Sequence, residues 1–270
     1  MRVWIYMVSA LRHAIRSKLV LVLLFFTAAI EYAFLKLLRA TTLQMQGEVS
    51  ALSQTDLVFS GLIIQTFAGC LLALVYGLWM IPYPHRGSRA TLTYSLPVPR
   101  SGMVTSYGMA LLVMLALQTV ITIGCLGLLT DWSFVFSSVF PWKKLGLTVL
   151  FQVVAFQFIA SLLAVGALSF GQVVTFVLGT LVFVLLQVAG GVLRIEMVQM
   201  MGATMDGFAT AQKIYGWLPP VGEFLYQMRE LFWNDNFART TFVSWGIWWT
   251  VAQVLLILRL RYPSLSRSEE

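Results

Sequence analysis

The sequence predicts an all-α polytopic membrane protein. It reads as six transmembrane helices, an N-terminal interfacial helix, and a short outer helix before the last span. Three observations carry this. Of 270 residues, 59% are hydrophobic and only 11% are charged, against about 25% charged in an ordinary soluble domain. Mean hydropathy is +0.83. Six separate stretches are apolar over the roughly 20 residues that a helix needs to cross a bilayer. A soluble domain could not cover so much apolar side chain with so little charge. A disordered chain, a nucleic-acid-binding module and a secreted disulfide scaffold are excluded on the same grounds.

The first element is residues 1–18. Val3, Trp4, Met7, Val8, Leu11, Ala14 and Ile15 recur at helical spacing, while Arg2, Ser9, Arg12, His13 and Arg16 fall on the other face. A helix with one basic face and one Trp-bearing apolar face lies in the membrane surface; a plain cytosolic extension of the first span is the simpler reading. The chain is expected to bend near Ser17 and Lys18. The scattered basic residues do not fit a cleavable signal, so the region reads as mature protein.

The remainder, 19–270, forms the six-helix transmembrane domain, with spans near 19–38, 57–81, 104–130, 145–168, 173–193 and 241–260. Ser169, Phe170, Gly171 and Gln172 leave only a tight turn between the fourth and fifth spans, with Gly171 supplying the backbone freedom. The segment 194–240 is too long for a simple turn. After Pro219 and Pro220, the residues Val221, Phe224, Leu225, Met228, Leu231 and Phe232 repeat at helical spacing. They predict a short helix that either dips into the outer leaflet or packs on the outer surface of the bundle.

Charge orients the bundle. Six spans put both termini on one side. The N-terminal segment, the loop between the second and third spans, and the C-terminus carry ten basic residues against Glu269 and Glu270; the other side has eight basic and nine acidic residues. The basic side is expected to face the cytoplasm. Trp132, Trp142, Trp217, Trp233, Trp79 and Tyr83 fall where aromatic belts form, whereas Trp245, Trp248 and Trp249 read as core.

Motifs for chemistry are scarce. No phosphate-binding G-x-x-x-x-G-K-[ST] loop and no G-x-S-x-G occurs. The only histidines, His13 and His85, fall outside the predicted spans, which argues against an intramembrane Ser–His hydrolase, a bis-His haem and a His-ligated zinc. No predicted span holds an Asp, so an intramembrane aspartyl protease is excluded. Cys70 and Cys125 read as small apolar core residues. Glu31 is the one acid within a span. It reads either as a carboxylate near the outer boundary, paired or reaching toward water, or as a substrate or proton site. Gln65, Gln118, Gln152, Gln157, Gln187 and Gln253 recur in the spans, as helix–helix glue or as the lining of a translocation path. Glu31, Gln65, Gln118, Gln152 and Gln187 are the candidate path residues. Ala160 and Ala164 offer a small-xxx-small helix contact.

The loop at 83–103 is the most informative segment. Basic side chains flank Gly87, the run from Ala90 to Leu96 fits about two turns of helix, and Pro97 and Pro99 end it because proline lacks the amide donor. Such a helix across the basic face suits the docking of a cytosolic partner; a basic loop held at anionic lipid heads is the alternative.

Gly87 or Ser88, Thr91, Leu92, Ser95, Leu96, Pro97, Val98 and Arg100 match the pattern of the type-2 ATP-binding-cassette (ABC) exporter permeases, which this loop resembles. The overall layout is similar as well, including the Leu218-Pro219-Pro220 stretch. The chain departs from the family at His85 and Arg86, where an acidic residue is common. The resemblance implies a coupling helix made of Arg86, Gly87, Arg89, Thr91, Leu92, Ser95, Leu96, Pro97 and Arg100, docked on a separate cytosolic ATPase subunit. It implies a second, smaller contact at Ser169, Phe170 and Gly171, and a permease dimer of like or unlike chains. It places the protein in the inner (cytoplasmic) membrane with both termini cytoplasmic. By this resemblance the chain is not an enzyme and binds no cofactor; ATP and Mg belong to the partner. A stand-alone carrier or channel, and a membrane assembly protein that transports nothing, are the competing expectations.

Overall fold

The structure is a computed structural model that describes residues 2–16, 18–44, 54–85, 89, 93, 99–130, 132–192, 218–234 and 239–261. Among these residues every regular element is helical. Helix α1 (Arg2–Arg16) lays Met7, buried, and Val8 and Leu11, half-buried, against the bundle, and leaves Arg12 and Arg16 exposed. The middle of the apolar face predicted from spacing is therefore packed, while Trp4 and Ile15 on the same face are exposed. Lys18 then adopts φ 55°, a left-handed conformation that turns the chain sharply. Its N–H donates to Ile15 O at 3.2 Å, and its carbonyl accepts from Val22 N–H at 2.8 Å. One residue thus ends α1 and starts α2 (Leu19–Gln44).

Helix α3 (Gln54–Val75) continues without a break into a π-helical turn, Tyr76–Met80, closed by Ile81 N–H on Tyr76 O at 2.9 Å. A 3-10 turn follows at Tyr83–His85. Helix α4 (Arg100–Leu129) begins directly after Pro99, whose extended backbone precedes the first turn. A short α5 (Trp132–Val135) leads to α6 (Trp142–Phe170). Gly171, at φ 87°, reverses the chain into α7 (Gln172–Val192). Further on, a 3-10 turn at Pro220–Glu223 precedes α8 (Phe224–Trp233), and α9 (Arg239–Arg261) closes the described chain.

Among the described residues five helices are long and apolar enough to cross a membrane: Val20–Ala40, Thr55–His85, Arg100–Leu129, Trp142–Phe170 and Phe242–Arg261. Within α7 a shorter apolar stretch, Gln172–Val188, runs beside α6. The chain is thus a multi-pass membrane protein by helix length and composition. The outward faces of α2 and α7 are apolar, with Phe25, Phe26, Val173 and Leu181 exposed, as lipid contact requires.

The helices meet at small residues. Gly77 faces the α6 backbone so closely that a Cβ there would lie 2.6 Å from Ala160 O, and Gly69 lies under the Phe156 ring. The Ala160/Ala164 spacing noted in the sequence is this seam, both residues being fully buried. A ring cluster fills the centre. Phe151 stacks on Phe224 at 5.1 Å, and Trp245 stands edge-on to Phe151, Phe158 and Phe224 at 5.6–5.9 Å.

Helix α8 enters the bundle rather than resting on top of it. Phe224, at its start, touches Phe156, which is the midpoint of α6. Trp233, at its end, touches Phe59 near the start of α3. Ten residues rise about 15 Å, so α8 climbs from mid-depth to one end of the bundle. Irregular backbone at such depth is stable only where protein covers its polar groups. Here Pro219 and Pro220 carry no N–H, Val221 N–H donates to Pro219 O at 2.7 Å, and the Gln187 amide donates to Val221 O at 2.7 Å.

Candidate functional site

Two regions hold the residues singled out from the sequence. The first is one end of the bundle. The His85 ring meets the Tyr107 hydroxyl at 3.1 Å, tying the end of α3 to the start of α4. The Gln172 amide donates to Leu78 O at 2.8 Å, and the Arg259 guanidinium donates to Ser169 Oγ at 3.0 Å and to Leu168 O. Helix α1 packs on α4. Arg12, Arg16, Lys18, Arg89, Arg100, Arg259 and Arg261 lie on the elements at this end, and Lys36, Arg39, Lys143, Lys144 and Arg229 on those toward the other. The acids among the described residues, Glu31, Asp56, Glu223 and Glu230, lie at mid-depth or toward the opposite end.

Of the candidate coupling residues, Arg86, Gly87, Thr91, Leu92, Ser95, Leu96 and Pro97 lie outside the described residues, as do Ser88 and Val98. Arg89 and Thr93 are both helical. The Arg89 guanidinium sits 4.0 Å over the Tyr83 ring, a cation–π contact. Thr93 Oγ1 lies 2.6 Å from Pro84 O and 3.0 Å from Arg89 O. These contacts fold the start of the loop back onto the end of α3. Arg100 opens α4 with Nη1 3.7 Å from Met103 Sδ. Ser169, Phe170 and Gly171 form the α6–α7 turn at the same end, with Phe170 exposed to 67% and Ser169 held by Arg259.

The second region is a polar layer inside the bundle. Glu31 falls near the centre of the apolar stretch Val20–Ala40 and is only 1% exposed, so it does not reach water at the outer boundary. The Thr122 hydroxyl lies within hydrogen-bond reach of its carboxyl and 3.2 Å from Gln118 O. Gln65 Nε2 donates to Thr119 Oγ1 at 2.8 Å, and Gln118 Nε2 to Gln65 O at 3.1 Å. Gln152 Nε2 donates to Thr66 Oγ1 at 2.9 Å, with Met228 Sδ of α8 at 3.5 Å. Four of the five candidate path residues, Glu31, Gln65, Gln118 and Gln152, therefore meet around six residues of α3, from Gly61 to Thr66. Gln187 stands apart, at the turn before α8. Gln157 and Gln253 bridge elsewhere, to Gly108 O at 3.0 Å and Ser161 Oγ at 2.9 Å. Each of the six amides thus joins two segments, as the glue reading expects, and Gln65 and Gln118 lie one helical turn from Gly61 and Thr122, which meet the one buried acid among the described residues.

Sequence reasoning missed Gly61, Thr66, Thr119, Thr122 and Met228. A signal existed. Gly61 and Gln65 are four apart, and Gln118 and Thr122 are four apart, so each pair shares a helix face. Among the described residues no three His, Cys, Asp or Glu side chains gather in a metal-binding group. No protein-family model matches the chain, and no curated protein matches it in sequence.

Proposed function

We propose that this chain is the membrane-spanning subunit of an ATP-driven ABC exporter of the type-2 permease class. In this reading six helices span the membrane, α7 being the fifth. The basic end faces the cytoplasm, and both termini lie there. The observation that carries the reading is the gathering of Arg89, Thr93, α1 and the α6–α7 turn at one end, together with the sequence pattern Thr91, Leu92, Ser95, Leu96, Pro97, Val98 and Arg100. A cytosolic ATPase docks there, through the loop and, to a lesser extent, Ser169–Gly171. ATP and Mg are bound by that partner, and two permease chains form the substrate route between them. The α3–α4 connection then acts as a lever. The loop's first residues are tied to the end of α3 by Arg89 and Thr93, and Pro99 hands its other end straight to α4, so movement of the loop moves both helices.

The chain should co-purify with a phosphate-loop ATPase from its own operon. Leu92→Asp with Leu96→Asp should abolish that association while leaving the bundle folded. Unchanged co-purification would sink the coupling assignment. A stand-alone carrier is the second reading, favoured by the buried acid and amides at mid-depth. Substrate flux in liposomes that hold this chain alone would establish it over the first.

A further inference from the structure

The polar layer is short of donors. Oε1 of Gln152, against the neighbouring face of α3, is buried without a donor among the described residues, and so are Oε1 of Glu31, Gln65 and Gln118. The last three side chains are about 1% exposed. They come from three adjoining helices, α2, α3 and α4. The Glu31 oxygen lies over Gly61, 3.5 Å from where a Cβ would stand, with Thr122 against the same glycine. A buried acceptor without a donor costs about 1–3 kcal/mol, and more for a charged group. Three such oxygens in one layer are a standing cost that a single bound species can remove.

The electrostatics select that species. A proton on Glu31 would neutralise the charge but leave both amide oxygens unsatisfied. A metal cation satisfies several oxygens at once, and hard oxygen donors suit alkali and alkaline-earth ions. One carboxylate balances one positive charge, whereas a divalent ion would leave a net charge in the apolar interior, which is strongly disfavoured. We propose that this layer binds one monovalent metal cation. Glu31 is its charged ligand, and Gln65 and Gln118 supply neutral amide oxygens. Gln152, whose amide nitrogen meets the neighbouring face of α3 at Leu62 and Thr66, holds the helices around the site; its Oε1 also lacks a donor among the described residues and stays outside the proposed ligand set.

The site stands on these contacts alone and does not rest on the exporter reading, because the ATPase takes no part in its test. The full chain is purified in choline chloride and placed in nanodiscs. Choline is then replaced by lithium, sodium or potassium at constant ionic strength. Two readouts are followed: thermal stability, and labelling of Glu31 by a hydrophobic carbodiimide, which spares a carboxyl occupied by a metal ion. At least one alkali salt should raise the melting temperature saturably and slow labelling at Glu31 more than about tenfold. Glu31→Gln should abolish the thermal response. Labelling that follows pH but is the same in every alkali salt would show a proton site and overturn the proposal. A thermal response that survives in Glu31→Gln, or no response to any alkali salt, would overturn it equally. The labelling arm uses the wild-type chain, so it holds even where the variant misfolds.

Discussion

Gly77→Ala tests whether the α3–α6 seam is set by backbone contact. In an open helix this change is favourable, because alanine loses less conformational entropy than glycine, by about 0.5–1 kcal/mol. At Gly77 the added Cβ would stand 2.6 Å from Ala160 O and 2.7 Å from Leu163 Cβ. The first of these is a backbone atom and cannot rotate away. Restoring ordinary contact separates the helices by about 0.8 Å, a gap that forfeits a quarter to a half of each neighbouring contact. Overpacking of this kind costs about 1–3 kcal/mol. The contact penalty exceeds the propensity gain, and the net loss is about 1–2 kcal/mol. Gly146 is the internal control, since nothing lies within 4 Å of its added Cβ. Gly146→Ala should stabilise by a few tenths of a kcal/mol to about 1 kcal/mol. Both variants are read by thermal unfolding in one detergent, where a loss of about 1–2 kcal/mol corresponds to roughly 3–6 °C. The decisive result is the opposite sign of the two shifts. If Gly77→Ala raised the melting temperature as Gly146→Ala does, the close-packed seam would be refuted.

Two further outcomes follow from the turn at the basic end. Gly171 combines φ 87° with ψ 164°, a region that is essentially glycine's alone, so Gly171→Ala should cost about 1–3 kcal/mol despite open space around the position; an unchanged melting temperature would show that the turn adopts another conformation. Arg259→Ala removes the donors held by Ser169 Oγ and Leu168 O and should speed amide exchange across the α6–α7 turn. The loss in global stability should be only about 1 kcal/mol, because the arginine is partly exposed; equal exchange in both proteins would remove the clamp from the account.

Much of the fold was legible because membrane insertion reads side chains almost one at a time. Five of the six apolar stretches, the bend at Lys18 and the turn at Gly171 each follow from local pattern and are where the spacing put them; the stretch after Gly171 is shorter, Gln172–Val188, among the described residues. Tryptophan divided in part as expected: Trp248 and Trp249, read as core, are only half-buried, and Trp217 lies outside the described residues. Trp132, Trp142, Trp79 and Trp233 are part-exposed, and Trp245 is fully buried with its indole N–H on Gln227. The start of α8 was legible too, in Pro219, Pro220 and the stripe that follows.

Depth and partnership were not legible, because they depend on which helices become neighbours. The stripe Val221–Phe232 reads the same whether it lies on the bundle or within it; the aromatic cluster at Phe151, Phe156 and Trp245 places it inside. Glu31 is a lone acid in an apolar run until α3 and α4 are packed beside it. Only then do Gly61 and Thr122, up to 91 positions away in the chain, close on its carboxyl, with Gln65 and Gln118 one helical turn along. The sequence by itself determined that this protein carries helices apolar enough for a membrane and where several of them begin and turn. Tertiary structure alone decided which polar groups share the interior, because a hydrogen bond or a charge between helices is fixed by their packing and not by their order.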